Sequence, residues 1–192
     1  MNNFPQRKSI RLKGYDYSQN GYYFITVCTK NRECLFGNIS DGKMVLNNYG
    51  NIAYSEIINT NNVRPNVEIK NHIVMPNHIH IIIAIVGAYC IRPNDTQITK
   101  SDNQNKIDIA DVCNASLRSP SQSVGSIIRG IKGSISKQCG FSVFQHSYHD
   151  HIIHNEKSYQ KIYEYVENNS LRWELDCHNP QNPKYKYWSE NI

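Results

Sequence analysis

VEIKNHIVMPNHIHIIIAIV, residues Val67 to Val86, reads as two strands joined by a tight turn. Val67 to Val74 forms the first strand and His78 to Val86 the second. Met75-Pro76-Asn77 connects them: proline fixes φ and asparagine tolerates turn geometry. The pair is therefore a β-hairpin. Alternate residues of a strand point to the same face. Ile79, Ile81, Ile83 and Ile85 fall together on one side, where they can form a core, and His78 and His80 fall together on the other. The expected sheet is antiparallel and carries both imidazoles on a face covered by helices.

The flanking sequence supplies the rest of that sheet. Gly21 to Cys28 (GYYFITVC) is rich in aromatic and β-branched residues and reads as a strand. A second short strand is expected around Met44 and Val45. Tyr49, Ile52, Ala53 and Ile57 recur at helical spacing, and that helix ends near Asn59 to Asn62. From Ser123 to Lys137 the apolar stripe is Val124, Ile127, Ile128, Ile131 and Ile135, with Arg129, Lys132 and Lys137 away from it. Gly125, Gly130 and Gly133 each weaken this helix by about 1 kcal/mol relative to alanine, so packing must hold it. Val143 to Ile153 offers one or two short strands, and Asn155 to Asn169 a final helix. The order β-α-β-β-α-β-α is the split β-α-β arrangement, a ferredoxin-like α+β fold with helices on one face of an antiparallel sheet.

The chain reads as a single domain over residues 1–192. Residues 1–20 form a basic arm, with Arg7, Lys8, Arg11 and Lys13 close together. Residues 87–120 are polar and lack periodicity, so they read as a flexible insertion. Residues 171–192, with Pro180 and Pro183, read as a tail lying over the surface. A net charge of +5 with 13 tyrosines suits a polyanion that offers both phosphates and stackable bases. The six cysteines form no C-x-x-C pair, and the first residues are polar and basic rather than a secretion signal. Reduced thiols and a cytoplasmic setting are expected. The longest apolar run, Ile79 to Val86, falls well short of the roughly 20 residues that span a bilayer.

Two features can carry chemistry. Imidazoles about 7 Å apart along a strand, as in His78-Ile79-His80, can share one divalent ion. The plainer alternative is two unrelated, partly exposed histidines. In the last helix Tyr159, Ile162 and Val166 mark the buried stripe, with Asn169 near its middle and Tyr165 on its flank. A buried amide without partners costs about 1–3 kcal/mol, which a metal ion or a hydrogen-bond network would relieve. Tyr165 and Asn169 stand one turn apart on the same side. Core packing is the plain role for such a tyrosine. Tyr163 and Glu167 share the spacing, and glutamate is a commoner ligand for hard metals. Helical phase, however, points that pair away from the stripe. His146, His149, His151 and His154 surround Asp150, but strand geometry separates them by face, which favours structural or DNA-contact roles. His72, in the neighbouring strand, either packs or is solvated, or it supports the site from behind.

With their surroundings these residues resemble the IS200-like tyrosine (HUH) transposases, most closely the branch associated with repetitive extragenic palindromes (REP). Arg7 to Thr26 (RKSIRLKGYDYSQNGYYFIT) resembles the N-terminal signature of that branch, and Val74 to His80 (VMPNHIH) the segment entering its HUH motif. Phe144 to Asn155 (FQHSYHDHIIHN) resembles the strand before its last helix, and Tyr165 to Trp173 (YVENNSLRW) the segment bearing its tyrosine and third ligand. The match spans nearly the whole chain apart from residues 87–120. It implies metal ligation by His78, His80 and Asn169 and nucleophilic attack by Tyr165. Two departures stand out: Ser170 follows Asn169 where the family usually has proline, and His154 stands where it commonly has arginine.

The implied activity is cleavage and rejoining of single-stranded DNA at a hairpin or palindrome, through a 5′-phosphotyrosine and with Mg²⁺ or Mn²⁺. Arg7, Lys8, Arg11, Arg129 and Lys132 would contact the DNA backbone. The family includes monomers and homodimers, and the protein would act in the cytoplasm at the nucleoid. The rival reading is a non-catalytic nucleic-acid-binding module on the same sheet, in which Tyr165 packs and the histidines bind no metal.

Overall fold

The computed structural model describes residue 12 and residues 14–86 and 123–182. Arg7, Lys8 and Arg11 of the basic arm, and the expected insertion at 87–120, lie outside the described residues.

Strand β1 (Gly21–Cys28) is followed by a short hairpin of β2 (Gly37–Ser40) and β3 (Lys43–Leu46). Asp41 and Gly42, both at positive φ (51° and 71°), form the two-residue turn that this hairpin requires. Helix α1 (Asn48–Val63) begins where the Asn47 side chain accepts from the Gly50 amide at 3.0 Å. Strands β4 (Val67–Val74) and β5 (His78–Ile85) make the expected hairpin, followed by α2 (Val124–Cys139), β6 (His149–Ile153) and α3 (Glu156–Glu167). Helix α2 ends at Gly140, whose φ of 81° gives the left-handed cap that glycine adopts without a Cβ clash. Asn155 caps α3 by accepting from the Ser158 amide at 2.8 Å.

The main sheet has the order β4-β5-β1-β6, and all its pairs are antiparallel. This is the expected split β-α-β fold, with α1 and α2 as the two crossovers. Both pack on the face carrying Tyr23, Ile25, Val27, Ile79, Ile81, Ile83 and Ile85. One expectation needs correcting. Helix α3 does not join them but covers the opposite face, where Val166 meets Ile82 and Ile153, flanked by Phe24, Ile73, Tyr159, Ile162 and Tyr163. The physical reason lies in β5. Ile82 interrupts the alternation and, beside Phe24, gives the second face an apolar surface of its own. Every residue of β5 is consequently buried. Each buried isoleucine contributes about 1.5–3 kcal/mol, so both helical layers are held by the same strand.

A bulge at Lys70 re-phases β4. Before it Val67 and Ile69 pack with the main core; after it Val74 does so, while Ile73 turns to the α3 side. His72 therefore packs against Tyr54 of α1, ring centroids 5.1 Å apart, and does not support the paired histidines from behind. None of the described helices is long and apolar enough to cross a membrane.

Candidate active site

His78 and His80 project from β5 toward α3, and both are buried. The turn that starts β5 orients the first of them. Asn77 donates through its amide nitrogen to the carbonyls of Arg32 (3.0 Å) and His178 (2.7 Å), which fixes the direction of its carbonyl oxygen. That oxygen lies 2.9 Å from His78 Nδ1. An amide oxygen can only accept, so Nδ1 must carry the proton and His78 Nε2 keeps its lone pair. Strand register orients the second histidine: Thr26 of β1 pairs with His80, and its hydroxyl lies 2.9 Å from His80 Nδ1. The two Nε2 atoms then face each other at 3.1 Å. Phe24 stacks on His80 from the same strand, with ring centroids 5.2 Å apart.

Helix α3 brings the tyrosine. Tyr165 Oη lies 3.3 Å from His80 Nε2, and its ring stands edge-on to Phe24. Asn169, just past the end of the helix, is buried, and its Oδ1 has no hydrogen-bond partner among the described residues. The structure thus brings together His78, His80, Tyr165 and Asn169. Tyr163 instead packs in the cluster around Val166, and Glu167 faces solvent.

The segment that follows belongs to the site as well. The expected tail, 171–192, is described to residue 182; Leu171, Arg172, Glu174 and Leu175 lie exposed, but Asp176, Asn179 and Asn182 are buried. Asn179 donates to the Trp173 carbonyl and Asn182 to that of Asp176, both at 3.0 Å, and Asn77 holds His178 from the hairpin turn. This delivers Asp176 Oδ2 to 3.9 Å from His78 Nε2. One ligand atom each from His78, His80 and Asp176 lies within 4.8 Å of the others, a group that can hold a metal ion. Trp173 and His178 ring the same spot, with centroids 6.2 and 4.6 Å from that of His78. Sequence reasoning missed Asp176 and His178, since no periodicity marks the tail. Thr26 was findable by pairing β1 against β5.

Burial, reinforced by His80, His178 and Arg32, holds His78 well below the usual histidine range, although Asn169 opposes the shift. Burial first, then His178, lowers His80 to about 3. Both rings are thus neutral at physiological pH, the state a metal ligand needs. Tyr165 is 38% exposed at its outer edge, but burial of its phenol end, helped by Asp176, raises it to about 12. A phenol so placed stays protonated and needs a cation to become a good nucleophile. Ring nitrogens of His78 and His80 and the buried Asp176 carboxylate converge as a group that can hold such a cation, and the buried Asn169 amide, in contact with His78 and Tyr165, has an Oδ1 without a partner among the described residues.

The remaining sequence candidates divide. Arg129 is exposed and lines a cavity of about 530 Å³ with Gly125, Gly133, Phe144 and Tyr148. Lys132, expected at phosphates, has its ammonium on the backbone carbonyls of Gln145, His146 and Ser147. His149 and His151 face the α3 side in register with Thr26 and Phe24, and neither joins a metal-holding group among the described residues.

No family model matches the chain. An uncharacterised protein of Haemophilus influenzae is 39% identical over 178 residues, which cover 88% of this chain and 91% of that protein. Among solved structures, a REP-associated tyrosine transposase bound to a REP hairpin superposes with a TM-score of 0.54 at 20% identity, covering 84% of this chain and 73% of that one. At that identity the likeness shows a shared fold.

Proposed function

We propose, for a chain that belongs to one family with the Haemophilus influenzae protein and has the fold of a REP-associated tyrosine transposase, the activity of a transposase-type single-stranded DNA endonuclease and strand transferase. The observation that carries this reading is the placement of Tyr165 Oη 3.3 Å from His80 Nε2, itself 3.1 Å from His78 Nε2. A tyrosine aimed at a buried pair of neutral imidazoles is what phosphoryl attack at a metal site requires.

His78, His80 and Asn169 would hold Mg²⁺ or Mn²⁺, with the Asp176 carboxylate beside them. Bound there, the cation supplies Lewis acidity toward a phosphate oxygen and the developing charge. The chain's own residues do the rest. Asn77 and Thr26 hold the two rings in position, and burial keeps them unprotonated. Phe24 holds the Tyr165 ring edge-on. The Tyr165 oxygen attacks phosphorus, the P–O3′ bond breaks, and the phenolic proton is balanced by the new 3′-hydroxyl. The 5′-phosphotyrosine keeps the energy of the broken bond, so reversal on another strand needs no nucleotide cofactor.

Single-stranded DNA bearing a hairpin or palindrome is the proposed substrate, with Arg7, Lys8, Arg11 and Arg129 as backbone contacts. His78, His80, Tyr165, Asn169 and Asp176 all come from one copy of the chain, which supports action as a monomer, with a homodimer as the alternative; cytoplasmic, nucleoid DNA is the proposed setting. Incubation with hairpin-bearing single-stranded DNA and Mn²⁺, followed by a denaturing gel, tests the reading. A covalent protein–DNA band is expected, and its absence on every hairpin substrate would return the chain to the binding-module reading.

A further inference from the structure

Asp176, Cys177 and His178 form a compact group of their own. Each offers one ligand atom, and these atoms all lie within 4.8 Å of one another. The turn that makes the group is anchored twice: the His178 amide donates to Asp176 Oδ1 at 2.7 Å, and the His178 carbonyl accepts from Asn77 at 2.7 Å. Asp176 therefore spends Oδ1 on the turn, and Oδ2, 3.9 Å from His78 Nε2, is the oxygen that the two groups share. His178 Nδ1 is buried and has no partner among the described residues, which costs about 1–3 kcal/mol unless something fills the position. The Cys177 side chain is exposed, so an ion can reach it from solvent.

The chemistry of this donor set differs from that of the paired histidines. Thiolate with imidazole and one carboxylate oxygen suits a borderline-soft ion, whereas Mg²⁺ and Mn²⁺ favour oxygen. We infer that Asp176, Cys177 and His178 form a second metal site, selective for Zn²⁺ and similar thiophilic divalent ions and lying against the His78–His80 pair through Asp176. The site's occupant is a free divalent ion in exchange with solvent, bound by three protein ligands with an open position. The inference goes beyond the proposed nuclease function and does not depend on DNA cleavage.

Titration of the full-length, metal-free protein with Co²⁺ tests it, because a cysteine thiolate bound to cobalt gives a near-ultraviolet charge-transfer band that nitrogen and oxygen ligands do not. Wild type is expected to show the band and lose it when Zn²⁺ is added. Cys177→Ser should abolish it and weaken Zn²⁺ binding at least tenfold in calorimetry, while Mn²⁺ binding stays within about twofold. His178→Ala should weaken Zn²⁺ similarly, which controls for cobalt held by Cys34 or Cys139. The double variant His78→Ala/His80→Ala separates the two sites: it should keep the thiolate band and lose Mn²⁺ binding. A wild type without the band, or a band that survives in Cys177→Ser, overturns the second site. Mn²⁺ binding that survives loss of both His78 and His80 instead overturns the metal assignment of the proposed function.

Discussion

Asn77 Oδ1 sits 2.9 Å from His78 Nδ1, while the amide nitrogen of Asn77 is committed to the carbonyls of Arg32 and His178. One turn residue thereby sets the tautomer of a site histidine and ties three segments of the chain together. Arg32 reaches this contact from a left-handed backbone, φ 55°, next to Asn31 at 54°. Non-glycine residues hold such angles at a cost of about 1–3 kcal/mol each, only where their surroundings insist.

Asn77→Ala should be costly in two separable ways. It leaves two carbonyls unpaired at about 1–3 kcal/mol each where they are buried, and thermal unfolding should fall by roughly 2–4 °C for each kcal/mol lost. It also frees the His78 ring, which should weaken Mn²⁺ binding about ten- to a hundredfold. Thermal melts and calorimetric titration read the two effects independently. Unchanged Mn²⁺ affinity in a folded variant would show that burial alone orients His78.

Asn169→Ala should behave in the opposite way. Its Oδ1 has no partner among the described residues, so on truncation the metal-free protein should lose little beyond the contacts of Asn169 with His78 and Tyr165. What it should lose is the rise in melting temperature that Mn²⁺ gives wild type, because ligand stabilisation follows binding to the folded state. Strand cleavage should slow but not stop, since His78 and His80 remain. A large loss of metal-free stability, with the Mn²⁺ response intact, would make Asn169 a packing residue.

Arg129 and Lys132 separate by salt dependence. Arg129→Ala should weaken single-stranded DNA binding and reduce the slope of log affinity against log salt by about 0.7, the value for one phosphate contact. Lys132→Met should leave that slope unchanged and lower stability instead, because its ammonium holds three loop carbonyls. Fluorescence anisotropy at several salt concentrations decides. A slope change in Lys132→Met would restore it as a DNA contact.

Much of the fold was legible because β5 states its own geometry: four isoleucines at alternate positions predict one core face and place both histidines on the other. The side taken by α3 was harder to read. The signal was Ile82 lying between Ile81 and Ile83, a run rather than an alternation, which marks a strand buried on both sides. Strand β2 went unread because Ile39 is its only large apolar residue, although the Asp41-Gly42 turn announces a hairpin. Tyr165, Asn169 and the histidine pair were reachable from spacing and resemblance. Asp176 and His178 were not, because asparagine side chains bonded to backbone carbonyls seat the tail, one of them from Asn77 in the distant hairpin turn, and such contacts leave no periodic pattern.

His72 offers a test of burial by pH. Burial lowers its folded-state pKa below the ordinary 6.5. The unfolded chain then binds the extra proton more readily, so this contribution to stability is complete above about pH 6.5 and is lost as pH falls below it. His72→Phe keeps a ring against Tyr54 and removes a buried Nε2 that has no partner among the described residues. Urea unfolding of both proteins at a series of pH values should show the variant gaining on wild type below about pH 6.5, with a constant difference above it. A difference that does not change with pH would mean that His72 is solvated in the folded state.

Tyr165→Phe should abolish the covalent protein–DNA band while leaving hairpin binding within a few-fold. The substitution removes only the oxygen 3.3 Å from His80 Nε2 and keeps the ring, whose centroid lies 5.3 Å from that of His80 and 6.0 Å from that of Phe24, so the fold should survive. Tyr163→Phe is the matched control. It also loses one hydroxyl, but its ring packs with Val166 and Tyr159 away from the histidines, and cleavage should persist. The loss in Tyr165→Phe should be complete, because among the described residues the other hydroxyl beside His80, that of Thr26, lies on Nδ1 and not on the Nε2 side that Tyr165 faces. The readout is a band that resists denaturant and disappears on nuclease treatment. If Tyr165→Phe still forms it and Tyr163→Phe does not, Tyr163 is the nucleophile and Glu167 the ligand one turn on. If wild type itself never forms it with Mg²⁺ or Mn²⁺ on any hairpin strand, yet binds those strands, Tyr165 is a packing residue and the chain reads DNA without cutting it.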